Sequence, residues 1–180
     1  LFELDRPFTG ETQSQIVASD ASKLSDAQQQ QDVYESHRHR VFSVSYYMTA
    51  NEVEAEDILS GTFVTAFAEQ RMPDGATVDR ALVGELGRRF SFEAEPSAVP
   101  NASTELEYAS SRRTDMEEAL NTLPPLERLV FLLRDVEGYP GAKVAPLVKQ
   151  SELEVQRTLF SARIRLRNAL ATKSREPAAG

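Results

Sequence analysis

The sequence predicts an all-α protein of two small helical domains joined by a flexible linker. Three observations carry this. Apolar residues recur at three- and four-residue spacing through most of the 180-residue chain, which is the period of an amphipathic helix. Serine or threonine followed three residues on by glutamate or glutamine, the form of a capping box, occurs at Ser25/Gln28, Thr114/Glu117 and Ser151/Glu154. Between the halves lies a stretch with Pro96, Ser97, Pro100, Asn101 and Ser103 and little periodicity, the signature of a linker. The predicted organisation is a flexible N-terminal arm over 1–24, a helical domain over 25–92, the linker over 93–113, a second helical domain over 114–171 and a tail over 172–180.

Residues 1–24 mix Pro7, Gly10 and polar residues with isolated Phe2, Phe8 and Ile16, as expected of an arm or of a segment that docks only on a partner. From Ser25 a helix carries Val33, His37, Val41, Val44 and Met48 on one stripe, widened by Tyr34, Phe42 and Tyr46, and ends near Thr49–Ala50. Asn51 is placed to cap the next helix, with Glu52 and Glu54 in its first turn, where carboxylates suit the helix dipole. Ile58, Leu59, Phe63, Ala66 and Phe67 form its inward face, and Glu56 and Asp57 add to the acids at its start. A turn over Arg71–Thr77 leads to a third helix over Val78–Phe90, which Gly84 and Gly87 weaken.

The second domain opens at Thr114 with Met116, Ala119, Leu120 and Leu123 on one face. A further helix places Leu126, Leu129, Val130, Leu133 and Val136 on a common stripe, and Gly138 and Pro140 stop it. A short helix around Ala142–Val148, a tight turn at Lys149–Gln150 and a long helix from the Ser151 cap complete a helix-turn-helix. The second helix of that motif usually enters the DNA major groove. Its core stripe is Val155, Leu159, Ala162, Leu166 and Leu170. Leu153, Phe160 and Ile164 form a second apolar cluster on the other side, expected to meet protein, within the chain or from a partner. Arg157 is the candidate reader of bases or phosphates, flanked by Gln156, Arg163 and Arg167. Arginine suits a bidentate contact to guanine, and glutamine the same to adenine.

Charge and composition limit the functions open to such a chain. Residues 1–96 hold 8 Lys or Arg against 17 Asp or Glu, and residues 97–180 hold 12 against 11, for a net charge of −8. So acidic a protein gains little from non-specific phosphate attraction, and a DNA reader of this charge needs a larger partner to deliver it. There is no cysteine, hence no disulfide and no thiolate metal site. No apolar run is long enough to span a bilayer, so a soluble, cytoplasmic protein without membrane insertion is expected. His37 and His39 diverge on their helix and make no metal site. No phosphate-binding, dinucleotide-binding or nucleophile-elbow motif is present. No catalytic residue, metal or cofactor is predicted.

The arrangement resembles the bacterial RNA polymerase sigma factors of the extracytoplasmic-function (ECF) group over roughly residues 27–170. The resemblance is carried by VYESHRHRVFSVSYYMTANEVEAEDILSGTFVTAF, by LPPLERLVFLLRDVEGYPGAKVAPLV, and by ARIRLR at Ala162–Arg167. It implies a region 2-like domain, a linker and a region 4-like helix-turn-helix, with core RNA polymerase and, as holoenzyme, promoter DNA as partners. An anti-sigma protein is a further partner the resemblance suggests. The implied polymerase-binding residues are Glu54, Glu56, Asp57, Ile58 and Phe63. The implied DNA contacts are Ser151, Gln156, Arg157, Arg163 and Arg167 in region 4 and Arg88 and Arg89 in region 2. The promoter-reading surface diverges from the family pattern. Ser60 and Gly61 stand for a Gln-Glu pair, Leu82 for a Trp, Glu85 for a basic residue, and Gln156, Thr158, Phe160 and Ser161 for basic or histidine positions. The implied function is transcription initiation, or, as the alternative, a sigma-like interaction protein that binds polymerase or an anti-sigma protein without efficient promoter recognition.

Overall fold

The computed structural model describes the backbone over residues 11–93 and 113–175, and side chains over 26–93 and 114–172. Residues 1–10 of the expected arm, the expected linker from 94 to 112 and the tail from 176 lie outside the described residues. Within them the protein is helical, as predicted. Helix α1 (Glu11–Thr49) starts well before Ser25. No glycine or proline interrupts that stretch, so Ser25 stands inside the helix instead of capping it, and residues 11–24 are helical and not part of an arm.

Local chemistry then places each turn. Ala50 reverses the chain at a φ of 54°, and its N–H still donates to the Tyr46 carbonyl at 2.7 Å. Asn51 caps α2 (Glu52–Glu69) as expected, accepting from the amides of Val53 and Glu54 at 2.9 and 3.2 Å. Helix α3 (Gly75–Gly87) begins earlier than predicted because Asp74 caps it, accepting from the Thr77 N–H at 2.8 Å. That hydrogen bond holds the Asp74 carboxyl below its ordinary range. Val41, Val44 and Met48 of α1 meet Ile58, Phe63 and Ala66 of α2 and Val78, Leu82 and Leu86 of α3 in a common apolar core.

The second unit comprises α4 (Arg113–Asn121), α5 (Pro125–Phe131), α6 (Gly141–Leu147) and α7 (Glu152–Arg175). Helix α5 runs on into a π-helical turn over Leu132–Val136, where the Glu137 N–H reaches back to the Leu132 carbonyl at 2.9 Å. A wider turn absorbs an extra residue and rotates the next side chains out of the 100° phase. Val136 is therefore 54% exposed, while Leu126, Leu129, Val130 and Leu133 stay buried. Its expected place on the core stripe is corrected by that turn. Gly138, at a φ of +70°, then ends the helix, with the Tyr139 N–H donating to the Leu133 carbonyl at 2.9 Å.

The two units share one interior. The cluster of α1–α3 continues through Leu129, Leu132 and Leu133 to Val144 and Val148 of α6 and Val155 and Leu159 of α7. A smaller cluster joins Ala119, Leu120 and Leu123 of α4 to Ala162 and Leu166 of α7. Polar groups close the seam between units at two points. At the first, Asp79 of α3, 1% exposed, pairs with Arg40 of α1 and with Lys143 of α6, whose Nζ lies 2.8 Å from Oδ2. The Tyr139 hydroxyl donates to the same carboxylate at 3.1 Å, and Lys143 Nζ sits 3.4 Å from the Tyr139 ring centroid. At the second, the buried Arg128 guanidinium donates to the Met48 carbonyl at the end of α1 (2.8 Å), to the Asn121 carbonyl and side chain at the end of α4, and to the Leu123 carbonyl.

Candidate nucleic-acid interface

Helices α6 and α7 form the helix-turn-helix. Pro140 precedes α6 with an extended ψ of 152°, and Lys149 takes a φ of 55° in the turn. The Gln150 N–H bonds back to the Ala145 carbonyl at 3.0 Å. Helix α7 then starts at the capping box. The Glu154 N–H donates to Ser151 Oγ at 3.2 Å, and the Ser151 N–H donates to Glu154 Oε2 at 2.7 Å. The backbone bond to Ser151 keeps the Glu154 carboxylate below its ordinary pKa range. Ser151, proposed for DNA contact, thus already serves the cap.

Buried residues fix which side of α7 faces out. Val155, Leu159, Ala162 and Leu166 are in the core. Below them, Ser161 Oγ donates to Glu127 Oε1 at 2.8 Å, and Arg165 Nε lies 3.2 Å from Glu127 Oε2, so a buried carboxylate of α5 registers α7. The opposite face carries Leu153 (56% exposed), Gln156, Arg157 and Phe160 (60% exposed), with Arg167 further along, all exposed. Gln156, Arg157 and Arg167 have no hydrogen-bond or ion-pair partner among the described residues.

Two expected members of this face are elsewhere. Ile164, assigned to the exposed apolar cluster with Leu153 and Phe160, is 8% exposed and belongs to the interior. The straight 100° projection misassigned it because α7 packs against α4, α5 and α6 and so buries more than one stripe. Arg163 is exposed but engaged: its Nε and Nη2 meet both oxygens of Asp135 at 2.8 and 2.6 Å. Those hydrogen bonds raise the guanidinium pKa further. The pairing comes from the π-turn, which swings Asp135 toward α7.

The implied polymerase-binding set divides the same way. Glu54, Glu56 and Asp57 are exposed at the start of α2. Ile58 and Phe63 are 0% and 5% exposed and fill the core, with Phe63 edge-on to Tyr34 at 4.7 Å between centroids. They are therefore not surface residues, since both lie on the helix face that α1 and α3 cover. Arg89 bridges to the acidic patch, 3.9 Å from Asp57. Arg88 is paired with Glu85 at 2.6 Å. Glu85 also accepts from Thr65 at 3.1 Å, and a Cβ on Gly61 would stand 3.0 Å from its carboxyl carbon. The Gly61 and Glu85 departures thus fit one another, the missing side chain making room for the carboxylate.

Six residues that the sequence did not single out hold the framework: Asp79, Arg40, Tyr139, Lys143, Glu127 and Arg128. One signal was available for Glu127 and Arg128, since both stand inside the apolar run from Leu126 to Leu133, where a charge must find a partner or turn to solvent. No group of three or more metal-ligating side chains comes together among the described residues, and no helix there is long and apolar enough to cross a membrane.

Comparison with known proteins agrees with this geometry. Residues 113–166 match the family model described as sigma-70, region 4. The chain is 24% identical over 164 residues to the ECF RNA polymerase sigma factor SigE of Mycolicibacterium smegmatis, covering 82% of this chain and 63% of that protein. The chain thus spans less than two thirds of that relative's length. In three dimensions it is similar to the sigma factor RpoE from Bartonella quintana, solved in complex with the anti-sigma factor NepR. The TM-score is 0.57 at 21% identity, covering 81% of this chain and 96% of that one. Residues 113–166 are therefore similar to sigma-70 region 4, and over most of its length the chain resembles an ECF RNA polymerase sigma factor.

Proposed function

We propose that this chain is a non-enzymatic initiation subunit of the ECF sigma kind, which binds core RNA polymerase in the cytoplasm and directs it to promoter DNA. One observation carries the reading. The outward face of α7, in a helix-turn-helix that matches sigma-70 region 4, presents Gln156 and Arg157, exposed and without a hydrogen-bond partner among the described residues, at the end a major groove would receive. The likeness to SigE, which spans both units, supports the polymerase partner. The exposed acids Glu54, Glu56 and Asp57 are the surface we assign to it. Arg89 beside them is the first unit's own cation for DNA, and Arg167 is a phosphate contact further along α7.

A second reading has an observation of its own. Arg163 and Arg88, two of the expected DNA contacts, are held by Asp135 and Glu85, and the chain carries a net charge of −8. These features favour a sigma-like interaction protein that binds polymerase or an anti-sigma protein without efficient promoter recognition. The anti-sigma partner of the Bartonella quintana protein supports that partner class.

Reconstitution with core polymerase separates the two. Complex formation with specific initiation supports the first reading, and complex formation without it supports the second. Arg157→Ala should lower promoter selectivity by about tenfold, the worth of one bidentate base contact of ~1–3 kcal/mol, with polymerase binding unchanged. Selectivity equal to that of the parent protein would remove Arg157 from the reading face.

A further inference from the structure

We infer that Leu153 and Phe160 are base-reading residues that contact the 5-methyl groups of two thymines flanking the purines met by Gln156 and Arg157. The inference rests on the promoter-directing reading above and adds to it the base identities this face selects. Leu153, Gln156, Arg157 and Phe160 stand at i, i+3, i+4 and i+7 and are all exposed, so they form a single outward row on α7. With Ile164 buried, the apolar members are just the two ends of that row. A partner helix or groove takes apolar anchors at all four such positions; here the inner two are a glutamine and an arginine.

The row is instead matched to base edges. The major groove offers acceptor and donor pairs on purines, which suit Gln156 and Arg157, and an apolar methyl on thymine alone among the four bases. Seven residues of α-helix advance about 10.5 Å, and successive base pairs of a duplex are about 3.4 Å apart. Leu153 and Phe160 therefore address positions about three base-pair steps apart, with Gln156 and Arg157 between them.

Nearby acids do not oppose this. Glu154 is turned into the capping box with Ser151. Glu152 lies back over α6, its Oε2 3.6 Å from where a Cβ on Gly141 would stand. The cations Arg157, Lys149 and Arg167 stay exposed around the row.

The test uses the full chain bound to core polymerase and a library of duplex promoter fragments, from which bound sequences are selected. Deoxyuridine is then substituted for each thymine in the selected element, which removes the methyl and leaves base pairing intact. The expected result is about a fourfold loss of binding at each of two positions, the worth of one buried methyl-sized group. Phe160→Ala should abolish the thymine-over-uracil preference at one of them and Leu153→Ala at the other. Both side chains are exposed, so folding is preserved, and unchanged thermal midpoints check that. Sequence-specific binding with thymine and uracil equivalent overturns this inference and leaves the promoter reading standing. Polymerase binding without any selected sequence overturns both. If Phe160→Ala weakens association with polymerase and leaves base preference intact, the row is a protein contact and the inference fails.

Discussion

At Arg128, four oxygens from the ends of α1 and α4 and the turn after α4 converge on one guanidinium, and no carboxylate is among them. Helix C-termini carry partial negative charge on their unpaired carbonyls, which is what lets a buried cation stand there without a counter-ion. Burial pulls its pKa down, yet arginine retains its proton in proteins. Arg128→Ala should cost about 3 kcal/mol, because it strips donors from buried carbonyls of two helices at once. Denaturant unfolding measures this, and a loss below about 1 kcal/mol would mean that water replaces the guanidinium. Ile58 and Phe63 teach the reverse lesson. A family resemblance implied a docking role for them, while their spacing on the inward face of α2 already said core, and at 0% and 5% exposure the spacing was the better guide.

At the scale of the element, much was readable. The Ser151/Glu154 box, the Asn51 cap and the Gly138 stop are local devices, each complete within seven residues, and all three stand where the sequence put them. The π-turn was not readable, since it arises from how α5 packs and ends, and it moved Val136 outward and Asp135 against Arg163. The α1 start was missed for a different reason: Ser25 has the form of a cap yet lies within an unbroken run of helix-compatible residues, and the run prevails. Helix α3 gives a direct test of propensity. Gly84 is exposed, and a Cβ there would meet nothing within 4 Å. Gly84→Ala should therefore stabilise the protein by about 0.5–1 kcal/mol, seen as a raised thermal midpoint. A lowered midpoint would mean that α3 must bend at this residue.

Across the whole molecule, the seam between the units could not be read from sequence, because Lys143 and Asp79 meet at a distance in the chain that leaves no local pattern. Its electrostatics make a prediction. Burial pushes the Tyr139 hydroxyl above the usual tyrosine range. Burial alone would lower Lys143, but hydrogen bonds to Asp79 and Tyr139 carry it above the usual lysine range. Both groups hold their protons more tightly when packed, so unfolding releases protons and the stabilisation is lost as pH rises. The stability difference between the parent protein and Lys143→Met should be full below pH ~10.4 and shrink above it. A gap that stays constant through pH 11 in thermal unfolding would place the ammonium in water instead.

The seam also bears on every ligand the protein meets. Arg128 belongs to one unit and the Met48 carbonyl it serves to the other, so drawing the units apart exposes a bare helix end together with a share of common core. A ligand that fits only the separated form binds with its intrinsic affinity multiplied by the fraction of molecules already separated. A ligand that spans both units in their packed form meets no such discount. One guanidinium therefore acts as a weight on the scale between two classes of partner, and loosening it would strengthen one class while weakening the other.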